Sequence, residues 1–404
     1  MAVTAFLFKE KSPNDLLKER MVLNDKLRTP TELVPLPSKG LVYPEDHPFH
    51  LLEFVPIKSL TINDEHILLN IAFNKLDLVT SEIIKSCVPL KNIELVDINK
   101  SILSGDVAAI LYAMRMNSYG TVMDPAFICP KCGKKYNDFR IDLRAIPLNI
   151  MDISPIKIGS NRFHYVNKSK SLQIEFKFLT YEENEYLAGI MKSSSELEES
   201  IFETGFSMAS SNSNYITSLL NFSIISVNGN SDKQSINKFV RKMRLRDSME
   251  FRNYISKNGP MLLATKEVIC NDYSGDYVDV NQDTGEETPA KDQSNLTSCD
   301  YETVLNLPIN HEIFSMRPEH KKEILLEPAF IMSYYAGFSW SEYLNYPVAY
   351  KNFYMERINT EIKRSQEKQS DIPTKAPHNN SSDIRSLTGK VKQSTPNAKM
   401  QRFT

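Results

Sequence analysis

Two Leu-Thr pairs, Leu60-Thr61 and Leu179-Thr180, each begin an apolar stretch whose residues recur at helical spacing. Three positions after each threonine stands an acidic residue, Asp64 in the first stretch and Glu183 in the second. A threonine followed by a carboxylate at this spacing is typical of a helix N-terminus, because the two side chains can cap the free backbone N–H groups there. Two helices with the same kind of start are therefore predicted.

The elements around these pairs follow the same order in both halves of the chain. Alternating apolar residues predict a strand before each Leu-Thr pair, and further helices and a strand that ends in a cysteine, Cys129 or Cys270, come after it. We interpret this order as a degenerate internal duplication with insertions. The alternative is that two unrelated α/β segments happen to match.

This order predicts an α+β fold with two degenerate strand–helix–ribbon repeats, a helical C-terminal region and a disordered tail. Two polar stretches in the second repeat, residues 191–215 and 271–298, lack apolar periodicity and are predicted to be surface loops. From about Ser365 onward the chain has almost no apolar residues and cannot bury enough surface to order itself. The predicted parts are an N-terminal helical arm (1–35), a first repeat (36–150), a second repeat (151–310), the helical C-terminal region (311–364) and the tail (365–404).

The balance of charges argues against some classes of binding protein. The 404 residues include 48 Lys and Arg against 50 Asp and Glu, which gives a formal net charge of −2. General binders of nucleic acid or of anionic membrane surfaces present a basic field, and this balance does not supply one. No apolar run approaches the roughly 18 residues that a membrane-spanning helix needs, so no membrane span is expected.

The motif Cys129-Pro130-Lys131-Cys132-Gly133 has the spacing that lets two thiolates face one metal ion, with a glycine in the turn that follows. A tetrahedral structural site needs four ligands, and Cys270 and Cys299 are the candidates for the second pair. Cys87 lies in an apolar helical stretch and is predicted to be a buried thiol. Three interpretations stay open for the site: one structural zinc held by Cys129, Cys132, Cys270 and Cys299, a metal-free relic of a zinc ribbon, or a redox-active pair.

Sequence motifs of catalytic and nucleotide-binding sites are absent: the chain has no G-x-x-x-x-G-K-[ST], G-x-G-x-x-G, H-E-x-x-H or G-x-S-x-G. Only 13 glycines occur, whereas 20 Phe and 18 Tyr offer large apolar faces for cores or interfaces. This favours an interaction protein without a small-molecule substrate over an enzyme. The competing hypothesis is a cytoplasmic zinc-ribbon protein that binds nucleic acid, although Gly133–Arg140 offers only a short basic and aromatic stretch.

Aromatic residues are concentrated near the start of the last predicted helix. Six of them lie within about fifteen residues: Trp340, Tyr343, Tyr346, Tyr350, Phe353 and Tyr354. Each one singly suits the core of this protein, but tryptophan and tyrosine also dominate the binding energy of protein interfaces. We expect at least two of them to face a neighbouring subunit, and the candidates for partner binding are Trp340, Tyr343, Tyr350, Phe353 and Tyr354.

Four segments stand in a specific order along the chain: the proline-rich Leu36–Pro44, the Leu60-Thr61 start with its acidic residues, the knuckle Cys129–Gly133 and the run Gly337–Val348. The last leads into a helix that contains Glu356-Arg357-Ile358-Asn359. In this order they resemble the baseplate hub subunit and hub-assembly family of T-even-like contractile-tailed bacteriophages. The resemblance covers most of residues 36–362. The chain departs from the family pattern in its length, its inserted loops and its split second cysteine pair, which leaves a shared metal site open.

The resemblance implies a non-enzymatic protein that acts through protein–protein interactions in building the hub at the centre of the tail baseplate. Its partners would be other phage hub proteins, which it would meet in the host cell cytoplasm during assembly. Members of this family divide between hub subunits that stay in the virion and factors that act only during assembly. Retention in the virion is therefore left open by the resemblance.

Overall fold

The computed structural model describes residues 31–69, 76–125, 127–129, 131–136, 140–167, 172–190, 209–270, 278–280, 287–289, 299, 301–316 and 318–370. Predictions for residues 1–30 and for the tail beyond Ser370 lie outside these residues. The chain divides into two compact units, Met1–Phe353 and Tyr354–Thr404. The described part of the second unit consists of the last turns of the C-terminal helix.

Helices and short strands alternate along the chain. The first half contains β1 (Thr31–Pro35), β2 (Phe54–Lys58), α1 (Ile62–Leu69), α2 (Leu76–Cys87), α3 (Ile98–Ser101), α4 (Ser104–Tyr119), β3 (Val122–Met123), β4 (Phe127–Ile128), β5 (Lys135–Tyr136), β6 (Ile141–Asp142) and β7 (Leu148–Asn149). The middle contains β8 (Phe163–Val166), β9 (Gln173–Phe176), α5 (residues 181–190), α6 (Ala209–Ser223), β10 (Ile224–Val227), α7 (Lys233–Lys242), α8 (Leu245–Asn258) and β11 (Met261–Leu262). The remainder contains β12 (Thr265–Cys270), β13 (Val278–Val280), β14 (Glu287–Pro289), β15 (Tyr301–Asn306), α9 (Glu327–Ala336), α10 (Trp340–Leu344) and α11 (Val348–Ser370).

Every strand pair among the described residues is antiparallel. One sheet has three strands in the order β10-β9-β8, and the others are pairs: β1-β2, β3-β6, β4-β5, β7-β11, β12-β15 and β13-β14. The prediction of an α+β protein is confirmed at the level of mixed helices and antiparallel strands. None of the helices in the described ranges is long and apolar enough to cross a membrane.

Helix α4 is the centre of the largest core. Its apolar side chains are buried on all sides, including Val107, Ile110, Leu111 and Met114, which is the pattern of a helix enclosed by other elements. At Gly105 the backbone of β11 approaches so closely that a Cβ would lie 2.1 Å from the carbonyl oxygen of Pro260. The absence of a side chain at this position therefore lets the second half of the chain pack on α4.

The first Leu-Thr pair lies against the start of α11. Ile62 N donates to Tyr346 O at 3.0 Å, and Val348 N donates to Leu60 O at 2.9 Å, so the two segments form a short antiparallel bridge. The predicted cap is present, since Thr61 N donates to Asp64 Oδ2 at 2.7 Å.

The second Leu-Thr pair makes the same two backbone bonds with a different segment. Tyr181 N donates to Ile102 O at 3.0 Å, and Ser104 N donates to Leu179 O at 3.1 Å, directly before α4. Its cap is present as well, because Thr180 N donates to Glu183 Oε2 at 3.1 Å. The shared bonding pattern supports the predicted duplication, which stays a prediction.

The proline-rich segment before β2 is held by Asp106, which is buried within α4. The Asp106 carboxylate accepts hydrogen bonds from Ser38 N at 3.0 Å, from Ser38 Oγ at 2.5 Å and from Tyr43 Oη at 2.5 Å. Asp106 lies in the first turn of α4 but does not cap this helix. The N-cap is Leu103, without a side-chain cap, and the carboxylate of Asp106 is bound to the proline-rich segment.

Three further expectations are corrected by the structure. Residues Thr31–Pro35, predicted to belong to a helical arm, form a strand because they pair with β2. Residues 209–215, predicted as part of a loop, are the first turns of α6, and the second predicted loop contains the hairpin β13-β14. The last helix extends to Ser370, beyond the predicted start of the tail at residue 365.

Candidate functional site

The first cysteine pair lies in the turn of a two-stranded hairpin, β4-β5. Strand β4 ends at Ile128, and the next residue, Cys129, donates from its N–H to Lys134 O at 2.9 Å. Gly133 N donates back to Cys129 O at 2.8 Å, and Gly133 has the positive φ of 74° that favours glycine in such a turn. This turn brings Cys132, two residues before Lys134, to the same side as Cys129.

The second cysteine pair occupies the corresponding positions of a second hairpin, β12-β15. Cys270 ends β12 and lies opposite Tyr301, the first residue of β15. Cys299 lies two residues before Tyr301, as Cys132 lies two residues before Lys134. The two cysteines of each hairpin therefore occupy equivalent positions, although 28 residues separate Cys270 from Cys299 in the sequence.

The four sulfur atoms converge. Sγ of Cys129 lies 3.9 Å from Sγ of Cys299, and Sγ of Cys132 lies 3.5 Å from Sγ of Cys270. All four sulfurs lie within 4.8 Å of one another. Four thiolates at the usual Zn–S distance of about 2.3 Å would have sulfurs about 3.8 Å apart. The donor set therefore suits one tetrahedral zinc, and the distances are too long for disulfide bonds, which measure about 2.05 Å.

Apolar side chains surround the sulfurs. Phe127 and Val268 are buried with Cys129, Cys270 and Cys299, and Tyr136 and Leu305 pack against this cluster. Two polar contacts hold its edge: Lys131 Nζ donates to Cys299 O at 2.9 Å, and Tyr136 Oη lies 3.1 Å from Cys270 Sγ. The two hairpins thus share one small core whose centre is the four cysteines.

The thiols of this cluster have different acidities. Burial acts to raise the pKa of Cys129, but hydrogen bonds from the backbone N–H groups of Cys132 and Lys131 lower the pKa of Cys129 to about 7. Burial, together with a hydrogen bond to Cys132, raises the pKa of Cys299 to about 12. Cys87 lies outside the cluster, and burial raises its pKa well above the usual value.

The predicted partner-binding residues are distributed between the surface and the interior. Trp340, Tyr350 and Phe353 are exposed in the first unit, and Tyr354 is exposed in the second. Tyr343 is only 1% exposed, and its hydroxyl donates to Leu325 O at 3.0 Å. Its side chain therefore belongs to the interior of the first unit.

Helix α9 carries exposed aromatic residues that the sequence analysis did not single out. Phe330 and Tyr334 are 63% and 70% exposed, and their rings stack with centroids 5.8 Å apart. Tyr335 is also exposed, and Leu326 continues the stripe one turn earlier. The spacing of four residues from Leu326 to Phe330 to Tyr334 was visible in the sequence, where apolar periodicity predicts a helix but does not say which face is covered.

Comparison with known proteins gives one match. A family model described as T4 bacteriophage base plate protein matches residues 48–274, which is more than half of the chain. No curated protein and no solved structure matches. The matched range contains Cys129, Cys132 and Cys270 of the cluster and the Leu60-Thr61 and Leu179-Thr180 pairs.

Proposed function

Because the chain belongs to the family of T4 bacteriophage base plate proteins, we propose that it is a component of the baseplate hub and acts there through protein–protein contacts. The family assigns a structural role in the phage tail baseplate. The assignment to the hub is more specific than the family match, and it rests on the resemblance of four segments to hub subunits and hub-assembly proteins.

Contacts within the chain support this assignment. Two of the four segments pair with each other, since Leu60 accepts a hydrogen bond from Val348 at 2.9 Å. A third, the proline-rich segment, is bound through Ser38 and Tyr43 to Asp106. The two segments that pair are far apart in the sequence, so their contact supports a common structural unit.

The exposed stripe on α9 is the observation that carries a role in protein–protein contact. We define the aromatic stripe as Leu326, Phe330, Tyr334 and Tyr335. Large aromatic side chains bury extensive apolar area at little loss of conformational freedom, and they are the commonest anchors of protein interfaces. Monomeric soluble proteins rarely leave a stripe of this kind exposed to solvent, so we assign it to contact with a neighbouring baseplate subunit. Trp340, Tyr350 and Phe353 are further candidates on the same unit.

Co-purification with the other baseplate proteins of the same phage tests this assignment. The double variant Phe330→Ala, Tyr334→Ala should fold, because both side chains are exposed. It should lose a partner that the unchanged chain retains, since truncation of an interface anchor commonly costs about 2 kcal/mol or more.

The control is Leu95→Ala, which removes a large apolar side chain that is 84% exposed and lies outside the aromatic stripe. A folded double variant that retains every partner would remove the aromatic stripe from the interface. Loss of the same partner in Leu95→Ala would point to a general effect of surface change.

The four cysteines contribute to this function as a structural zinc ribbon that holds the hairpins β4-β5 and β12-β15 together. The convergence of the sulfurs within 4.8 Å and their equivalent positions in the two hairpins support one zinc ion. Four protein thiolates leave no open position for a substrate or water, so the ion would supply folding free energy and no chemistry. The family match gives no support to the competing hypothesis of a nucleic-acid-binding protein.

A further inference from the structure

Three places among the described residues have a similar construction: a helix with a side-chain N-cap, a short link and a second helix. The links are residues 102–103 between α3 and α4, residues 243–244 between α7 and α8, and residues 345–347 between α10 and α11. In each case a side chain caps the first helix, because Asp97, Asp232 and Ser339 accept hydrogen bonds from the backbone N–H three residues later.

Two of these links hold a Leu-Thr segment from elsewhere in the chain. The carbonyl oxygen of the link residue Ile102 accepts from Tyr181 N, and the first N–H of α4 donates to Leu179 O. The link before α11 binds Leu60 and Ile62 in the same way. In both links, a carbonyl oxygen of the link accepts one backbone hydrogen bond from the bound segment, and the first N–H of the following helix donates another to it.

The third link has the same backbone conformation but no such occupant among the described residues. Met243 and Arg244 have φ/ψ of −62°/134° and −62°/139°, close to −97°/140° and −67°/141° at Ile102 and Leu103. No backbone hydrogen bond to Met243 O or from Leu245 N is present in the described part of the chain. Leu245 is 73% exposed and Met249 is 48% exposed, whereas the corresponding Val348 is fully buried.

The charges at this link match the segments that the other two links bind. Four basic residues surround it: Arg241, Lys242, Arg244 and Arg246, all exposed. The bound segments are acidic just after the threonine, with Asp64 and Glu65 in one and Glu182 and Glu183 in the other. In the first of them, Glu65 is bound by a lysine of α11, Lys351. A cationic link therefore suits an acidic helix start.

We propose that the link Met243-Arg244, with Leu245 and Met249, binds the start of a helix in another baseplate protein, a segment that carries Leu-Thr followed by acidic residues. The partner's leucine carbonyl would accept from Leu245 N, and the N–H after its threonine would donate to Met243 O. The Leu60 and Leu179 segments of this chain already use these backbone groups within the chain, so they are not free to occupy the link of a second copy. This surface is separate from the aromatic stripe and adds a second contact to the proposed function.

A synthetic peptide with the sequence of residues 176–190 is the probe, because it contains the Leu179-Thr180 start and its acidic residues. We expect it to bind the full chain in a titration followed by fluorescence anisotropy, and to bind more weakly as salt is raised. A control peptide with Tyr181→Pro lacks the N–H that would donate to Met243 O and should bind about tenfold more weakly.

The variant Leu245→Pro tests the other hydrogen bond. Proline is favoured at the first position of a helix, and Arg244 already has the extended conformation that a residue before proline prefers. The variant should therefore fold, lose the Leu245 N–H and bind the peptide about tenfold more weakly. Leu245→Ala keeps that N–H, so it should bind more tightly than Leu245→Pro.

Three results would overturn the proposal. The first is no peptide binding, and the second is equal binding of the peptide to Leu245→Pro and to the unchanged chain. The third is tighter binding of a single-stranded oligonucleotide that neither Leu245→Pro nor Leu245→Ala weakens, since this would make the basic residues a nucleic-acid site.

Discussion

Lys351 donates a hydrogen bond to the carboxylate of Glu65 at 2.5 Å, and the two side chains are only 5% and 1% exposed. The hydroxyl of Tyr119 donates to the other oxygen of the same carboxylate at 2.8 Å. Helices α1, α4 and α11 therefore meet at one buried charge. A buried carboxylate with a single cation partner depends strongly on that partner, because its removal leaves an uncompensated charge.

We predict that Lys351→Met destabilises the first unit by about 3–5 kcal/mol, as expected when one partner of a buried ion pair is removed. Denaturant unfolding followed by circular dichroism measures the loss. Lys100→Met is the control, because Lys100 pairs with Asp97 on the surface, where such pairs contribute about 1 kcal/mol or less. Equal losses in the two variants would contradict the importance of the buried pair.

The same variant should show a defined pH dependence. Burial raises the pKa of Glu65, and Lys351 lowers it again, so the substitution raises this pKa further. An acid whose folded pKa lies above its unfolded pKa contributes stability below the unfolded value and loses it as pH rises through the folded value. The stability deficit of Lys351→Met should thus be smallest near pH 4 and grow towards neutral pH, as unfolding curves at several pH values would measure. A deficit that shrinks as pH rises would be inconsistent with this sign.

Tyr43→Phe should destabilise the protein by about 1–3 kcal/mol, because it removes one hydrogen bond from the buried Asp106 carboxylate and leaves the buried Leu103 N–H without its acceptor. The hydroxyl of Tyr43 donates to Asp106 Oδ2 and accepts from Leu103 N at 3.2 Å. Tyr350→Phe removes a hydroxyl from an exposed ring and should have little effect. The shift in the denaturation midpoint distinguishes the two, and a shift for Tyr350→Phe alone would contradict the role of the buried hydroxyl.

Gly105→Ala should destabilise the packing of β11 on α4 by about 1–3 kcal/mol, the usual effect of overpacking. The added methyl group would meet the backbone of Pro260 and Met261, which cannot rotate away as a side chain can. Gly189→Ala places the same methyl group in open space on α5 and should be neutral or stabilise by up to about 1 kcal/mol. Thermal unfolding of the two variants gives the comparison, and a lower melting temperature in Gly189→Ala only would refute it.

Cys132→Ser should lose zinc and melt at a lower temperature than the unchanged chain, because a structural zinc contributes directly to folding free energy. Elemental analysis of protein purified without chelators should find one zinc per chain before the substitution. Cys87→Ser is the control: it alters a buried thiol outside the cluster, so it should change stability and leave the zinc content unchanged. If the unchanged chain contains no zinc and Cys132→Ser melts at the same temperature, the cysteines are a metal-free relic of a zinc ribbon.

Local patterns in the sequence predicted local structure well. The caps at Thr61 and Thr180 were recognisable because each depends on residues within one turn. The pairing of Cys129 with Cys299 was predictable only as one of several interpretations, since thiol spacing shows which residues suit a metal but not that they meet.

The features that the sequence did not predict depend on contacts between residues far apart in the chain. Asp106 stands where an acidic residue usually caps a helix, and only the approach of Ser38 and Tyr43 from far along the chain gives it another role. Tyr343 and Tyr350 belong to the same aromatic run of the sequence. Tyr350 is exposed, whereas Tyr343 is buried and its hydroxyl donates to Leu325 O. Which aromatic residues a helix exposes depends on the elements that pack against it, and the apolar periodicity of the helix does not identify those elements.

The contact between Glu65 and Lys351 joins residues 286 positions apart. At about 5–20 residues per second, a ribosome needs roughly 15–60 s to add that much chain. Throughout this interval the Glu65 carboxylate lacks its lysine, and the backbone of Leu60 lacks the N–H of Val348. The packing of the first helix is therefore completed only after Lys351 has been synthesised, so a chain that stops before Lys351 leaves that helix without these contacts and more open to proteases.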